Sequence, residues 1–86
     1  MLLKDRVAIV TGGAKGIGRA ISLAFAREGA DVVINAMHIE GAEKAAKEVR
    51  ALGRKALAIA ADVSDVKQVN DLVARTVKEF KKIDIL

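Results

Sequence analysis

Thr11-Gly12-Gly13-Ala14-Lys15-Gly16-Ile17-Gly18 decides the fold of this 86-residue chain. Just before it, Arg6-Val7-Ala8-Ile9-Val10 is a short apolar run rich in β-branched residues, the pattern of a buried strand. Just after it, Ile17, Ile21, Ala24 and Phe25 recur at helical spacing, so a helix begins within the glycines. Gly12 lets the chain leave the strand with a φ that residues bearing a Cβ resist. Gly16 leaves room for a ligand phosphate to approach the backbone, and Gly18 is expected to let the helix pack tightly against the strand. The first helical turn then offers free N–H groups and the positive end of its dipole, a seat for a pyrophosphate. A glycine turn alone also ends strands for structural reasons, but a strand before and a helix after give this one the context of a dinucleotide-binding turn. Its candidate ligand contacts are Gly12, Ala14, Lys15, Gly16, Ile17 and Gly18.

Working outward, the same alternation repeats. A strand is expected over 6–12 and a helix over 16–28, closed by Gly29. Asp31-Val-Val-Ile-Asn35 reads as a second strand covered on both faces, and residues 36–39 as a loop. A second helix is predicted over 40–52, with Ala42, Ala45, Ala46, Val49 and Leu52 on one face and Gly53 closing it. Residues 55–61 are expected as a third strand; their alanines would suit a helix equally, but the glycine before and Asp62 after favour a strand. Ser64 or Asp65 caps a third helix over 65–81, whose apolar stripe is Val66, Val69, Leu72, Val73, Val77 and Phe80. Ile83-Asp84-Ile85-Leu86 begins a fourth strand. Strands alternating with helices of this length imply a parallel sheet with right-handed crossovers. The fold class is therefore α/β, half of a doubly wound Rossmann fold, βαβαβαβ with strand order 3-2-1-4, in one domain spanning 1–86. Ligands of such sheets bind at the carboxyl edge where the strand order reverses, beside the glycine turn.

Thr11-Gly-x-x-x-Gly16-Ile17-Gly18 resembles the cofactor motif of the short-chain dehydrogenase/reductase family. The text from Arg19 through Asp62-Val63 to Leu86 is similar to the same family, with the 3-oxoacyl-carrier-protein reductase and glucose dehydrogenase branch the nearest in character. The resemblance implies a bound nicotinamide dinucleotide. An acid at the end of the second strand would accept from the adenosine ribose and exclude a 2′-phosphate; the family position falls at Ala36, which has no carboxylate. The next position, basic in NADP-type relatives, holds Met37, and His38 follows within reach. Lys15, directly before the second glycine of the motif, resembles the NADP-preferring pattern, its ammonium meeting the 2′-phosphate. NADP is thus the expected cofactor, with NAD the alternative. Asp62 and Val63 resemble the pair that holds adenine, although Asp62 could equally begin an Asx turn. Thr11 is expected to bond nearby backbone through its hydroxyl, and Arg19 reads as a solvated or ion-paired helix residue.

The family's chemistry needs a Tyr acid/base, a Lys four residues later that lowers the Tyr pKa, and a carbonyl-orienting Ser. The chain has no tyrosine, and Ser22 and Ser64 fall in a helix and a helix cap, so no catalytic residue is assigned. The resemblance then implies a truncated cofactor-binding half that is not by itself an enzyme. The alternative is a self-associating folding fragment or a minimal domain without a ligand. In either case an unpaired apolar edge at strand four invites a homo-oligomer.

Composition narrows the partners. Hydrophobic residues at 52% with 30% charged fit a globular chain, one that buries only about 60–65% of its unfolded surface. The net charge of +4 comes from basic residues interleaved with acids on every helix, Lys44, Lys47 and Arg50 alternating with Glu40, Glu43 and Glu48. Only Lys78, Lys81 and Lys82 cluster, at a helix end where cations complement the dipole. With two Phe and no other aromatics there is no stacking platform for bases, so nucleic acid is not an expected partner. No cysteine and a single histidine exclude a thiolate or multi-histidine metal site. No apolar run reaches the ~20 residues of a membrane span, and the first residues lack signal-peptide order, so a cytoplasmic location is expected.

Overall fold

The structure, a computed structural model, describes residues 2–85. The elements follow in the order β1 (Val7–Val10), α1 (Gly16–Arg27), β2 (Asp31–Ala36), α2 (Ile39–Ala51), β3 (Ala56–Ala60) and α3 (Val66–Phe80). The three strands are parallel with β2 in the middle, Val10 opposite Ile34 and Asn35 opposite Ile59. The expected 3-2-1 order is therefore present. Of the fourth strand, the described residues contain one parallel bridge, Ile85 to Ala8 on the free side of β1; Leu86 lies outside them. β1 is shorter than the expected 6–12 because the chain turns at Thr11, while Ala36 and Ile39, expected in a loop, belong to β2 and α2.

Alternation along β2 splits the core in two. Val32 and Ile34 face α1 and α2, packing with Val10, Leu23, Ala26, Ala42, Ala46 and Val49. Val33 faces the opposite side, with Ile9, Ile59, Ala61 and Leu72 of α3. The α2 face is almost all alanine, which brings that helix close to the sheet; Leu52, expected on this face, is the C-cap and 42% exposed. On α3 the buried positions are Leu72 and Thr76. Thr76 was not part of the expected stripe, and it enters the core because its hydroxyl donates to the Leu72 carbonyl at 2.9 Å, one turn back. Val66 and Val77 of that stripe are exposed. On α1 the helical register is as expected, but Ser22, Leu23 and Ala26 are the buried positions, and Ile17 (80%) and Ile21 (39%) face outward. That flank of α1 lies beside the free side of β1, where the sheet has only its single bridge to Ile85.

Asp84 fixes the returning segment. Its Oδ2 accepts from the Val7 N–H at 2.9 Å and lies 3.0 Å from the Lys82 ammonium, while its own N–H donates to the Val7 carbonyl at 2.9 Å. The Val7 N–H, then Lys82, hold the Asp84 carboxyl below the usual carboxylate range. A carboxyl lowered in the folded state stabilises above the range in which it titrates when unfolded, and that contribution disappears as pH falls through the folded value. The thermal midpoint should thus hold steady near neutrality and drop once the pH passes below about 4. Asp84→Asn should lower the neutral midpoint and shrink the acid drop, read by circular dichroism melts across pH; an acid limb of unchanged size in the variant would remove Asp84 as its source.

Candidate functional site

At the carboxyl edge of the sheet, the turn after β1 meets the turn after β2. Gly12 has φ +62° and Gly16 φ +52°, the left-handed conformation that residues with a Cβ rarely adopt. A Cβ built on either meets nothing within 4 Å, so both face open space, as a cradle for a ligand backbone contact requires. Gly18 differs from its expected role. A Cβ there would collide with the carbonyl of Gly12, so its close packing is against the loop, with the strand one step removed. Gly13, which the motif spacing passes over, is also confined: a Cβ would lie 2.9 Å from Ser22 Oγ and from the Val10 carbonyl. Ser22 is buried and donates to the Gly18 carbonyl at 2.9 Å, with the Gly13 carbonyl 3.3 Å away. Thr11 is exposed, and its hydroxyl forms no hydrogen bond among the described residues, contrary to expectation.

Between the two turns lies a cavity of about 460 Å³. From the first turn it is lined by Gly12, Ala14 and Lys15; from the end of β2 by Ala36, Met37 and His38. The sequence placed all six near a ligand, and the fold brings them to one wall-to-wall opening. Gly41, in the first turn of α2, completes the lining and was missed. A glycine inside a helix costs about 1 kcal/mol relative to alanine, which was the available signal; a Cβ there would sit 3.5 Å from that of Ala14. His38 is the N-cap of α2 but donates nothing to the helix and accepts nothing from it through its side chain. Among the described residues no group of three or more His, Cys, Asp or Glu could hold a metal.

Gly16, Ile17, Gly18, Asp62 and Val63 do not line this cavity. Gly16 opens the first turn of α1, and Ile17 points outward. Asp62 follows β3 and forms the Asx turn: its Oδ1 accepts from the Ser64 N–H at 2.9 Å and the Ser64 hydroxyl at 2.7 Å. These bonds, the hydroxyl first, hold the carboxyl below its ordinary range. Its second oxygen accepts no hydrogen bond among the described residues, and Val63 is half exposed. Asp65 caps α3, accepting from the Lys67 N–H at 2.9 Å. Arg19 is ion-paired, its Nε donating to Glu48 Oε1 at 3.0 Å, which ties α1 to α2 and removes it from the list of phosphate ligands.

This arrangement, a parallel sheet whose glycine turn opens a helix beside a cavity at the end of the second strand, has close counterparts among known proteins. The short chain dehydrogenase family matches residues 6–86, and the chain belongs to that family. It is 42% identical over 86 residues to an L-rhamnose 1-dehydrogenase (NAD(P)(+)) of a Sphingomonas species, covering 99% of this chain and 34% of that protein. It is 47% identical to general stress protein 39 of Bacillus subtilis, covering 98% of this chain and 30% of that one. Among solved structures, NAD+-bound xylitol dehydrogenase superposes with a TM-score of 0.94 at 34% identity, over 99% of this chain and 33% of that chain. Glucose dehydrogenase of Caenorhabditis elegans in the apo form gives 0.90 at 34% identity, over 99% and 38%. The chain thus spans about a third of the length of the relatives it matches.

The contrast between glycines gives a direct test of the turn. Gly18→Ala should cost about 2 kcal/mol or more, since its methyl meets backbone that cannot yield cheaply. Gly16→Ala, facing open space, should cost only its left-handed φ, about 1 kcal/mol. Urea denaturation of both variants measures the difference, and equal losses would contradict the packing described for Gly18.

Proposed function

We propose that this chain is the cofactor-binding portion of an NADP-preferring short-chain dehydrogenase, and that it does not turn over substrate by itself. The observation that carries the reading is the cavity lined by Lys15 and His38, with no carboxylate at Ala36. A 2′-phosphate there would meet cationic or neutral donors instead of an acid, and the Lys15 ammonium would contribute as a point charge. The open left-handed glycines and the first turn of α1 would take the pyrophosphate. The unpaired oxygen of Asp62 would accept from the adenine amine, with the Val63 backbone beside it. The dinucleotide supplies hydride chemistry when bound; this chain's residues bind and orient its adenosine half. The absence of any tyrosine among the 86 residues supports the view that the proton-transfer group lies outside them. The proposed partners are the cofactor and protein; no described helix is long and apolar enough to cross a membrane.

Parallel titrations with NADP+ and NAD+, followed by amide chemical shifts, test this. NADP+ should bind more tightly, with shifts centred on 12–18, 36–38 and 62–63, and Lys15→Gln should remove about tenfold of the preference. Equal affinity for the two cofactors in the unaltered chain would overturn the NADP assignment; no binding of either would overturn the cofactor reading.

A second reading concerns assembly. Ile85 pairs with Ala8 on one side only, and beside it Ile9, Val10, Ile21 and Phe25 line a groove of about 270 Å³. An edge of this kind pairs readily with another copy, so the chain is proposed to form a homo-oligomer through the strand-four edge. Sedimentation velocity at micromolar concentration should show a dimer or larger species, and a monomer throughout would dispose of this reading.

A further inference from the structure

We propose that the Asn35 side chain positions the loop after β3 in the cofactor site. The inference rests on reading the carboxyl edge as the dinucleotide site and adds a residue that does not line the cavity there. Asn35 is the penultimate residue of β2 and is 2% exposed. Successive strand residues alternate in facing, so its side chain lies on the Val33 side of the sheet, among aliphatic neighbours where a polar group is costly unless bonded. Both hydrogens of its amide are used: Nδ2 donates to the Ile59 carbonyl at 3.2 Å and to the Ala61 carbonyl at 3.1 Å. Two acceptors on one nitrogen also fix which end of the amide is which.

The second of these bonds is the informative one. The β2–β3 ladder ends with the Ala61 N–H donating to the Ala36 carbonyl at 3.0 Å. Beyond that point β2 turns toward His38 and α2, while β3 turns toward Asp62, so the Ala61 carbonyl has no ladder partner ahead of it. Asn35 supplies one from the side and holds the residue directly before Asp62. On its other flank the Asn35 main-chain carbonyl accepts from the Gly13 N–H at 3.0 Å, a bond to the glycine turn that any residue at this position would keep. The side chain therefore acts on the loop proposed for adenine. An apolar residue would fill the core as well and would leave the Ala61 carbonyl without a partner.

The test compares Asn35→Ala and Asn35→Ser with Val33→Ala, a substitution on the same face of the same strand that removes packing and no hydrogen bond. Amide hydrogen exchange without ligand and NADP+ affinity are measured for each. Asn35→Ala should speed exchange at Ala61 about tenfold beyond its global loss of stability and weaken NADP+ by a similar factor, while Gly13, whose N–H keeps its main-chain acceptor, stays in step with global stability. Asn35→Ser keeps one donor and should fall between it and the unaltered chain, and it carries the test should Asn35→Ala not fold. Val33→Ala should lower the thermal midpoint while leaving those two amides and the affinity in step with global stability. If Ala61 in the Asn35 variants exchanges no faster than in Val33→Ala, the proposal falls while the cofactor reading stands. If the unaltered chain binds no NADP+, the cofactor reading falls, and with it any role for Asn35 in holding a cofactor.

Discussion

The first turn of α1 rests on the carbonyl of Gly12, and that contact sets where everything at the carboxyl edge can go. Only a residue without a Cβ at position 18 allows it. With the helix seated there, Ser22 comes against the carbonyls of Gly13 and Gly18 and closes the turn from below. The helix dipole then points over Gly12 and Gly16, whose left-handed backbones are free on their outer side. The turn is rigid on its inner face and open on its outer one. A site for a charged ligand requires that combination, because backbone N–H groups aimed in advance lose little on binding.

The parallel ladder supplies the second fixed element. β1 ends at Val10 opposite Ile34, two residues before β2 and β3 end together at Ala36 and Ala60, so the three loops emerge at the same edge of the sheet. Small side chains in α2 allow that helix to approach until Gly41 meets Ala14 across the opening. The cavity exists because the turns diverge over a sheet whose core is already filled. Its walls are loop and helix start; its floor is strand.

How much of this could be read from residues alone varied with the kind of signal. β-branched runs and amphipathic stretches identified five of the six elements, the alanine-rich β3 was assigned from the glycine before it and Asp62 after it, and the glycine spacing located the cavity wall. Six of its seven lining residues were legible because two independent signals, motif and strand end, converged on them. What was not legible depended on which face of an element has a neighbour. Ile17 and Ile21 have the spacing of a core stripe, yet the sheet lies under Ser22, Leu23 and Ala26. Thr76 looked polar and is buried, since a hydroxyl can satisfy itself on its own helix. Asn35 reads as an ordinary strand end; its importance comes from a carbonyl 26 residues away. Periodicity gives the element, and the partner across space decides its inward face.

The Asp84 tether has a consequence for how the chain comes together in time. Its bond to the Val7 N–H joins residues 77 apart in sequence, whereas β1, α1 and β2 meet through neighbours of short separation. Closing a loop that long costs more chain entropy than closing the βαβ units, although the cost grows only slowly with length. Local contacts should accordingly form before the tether does.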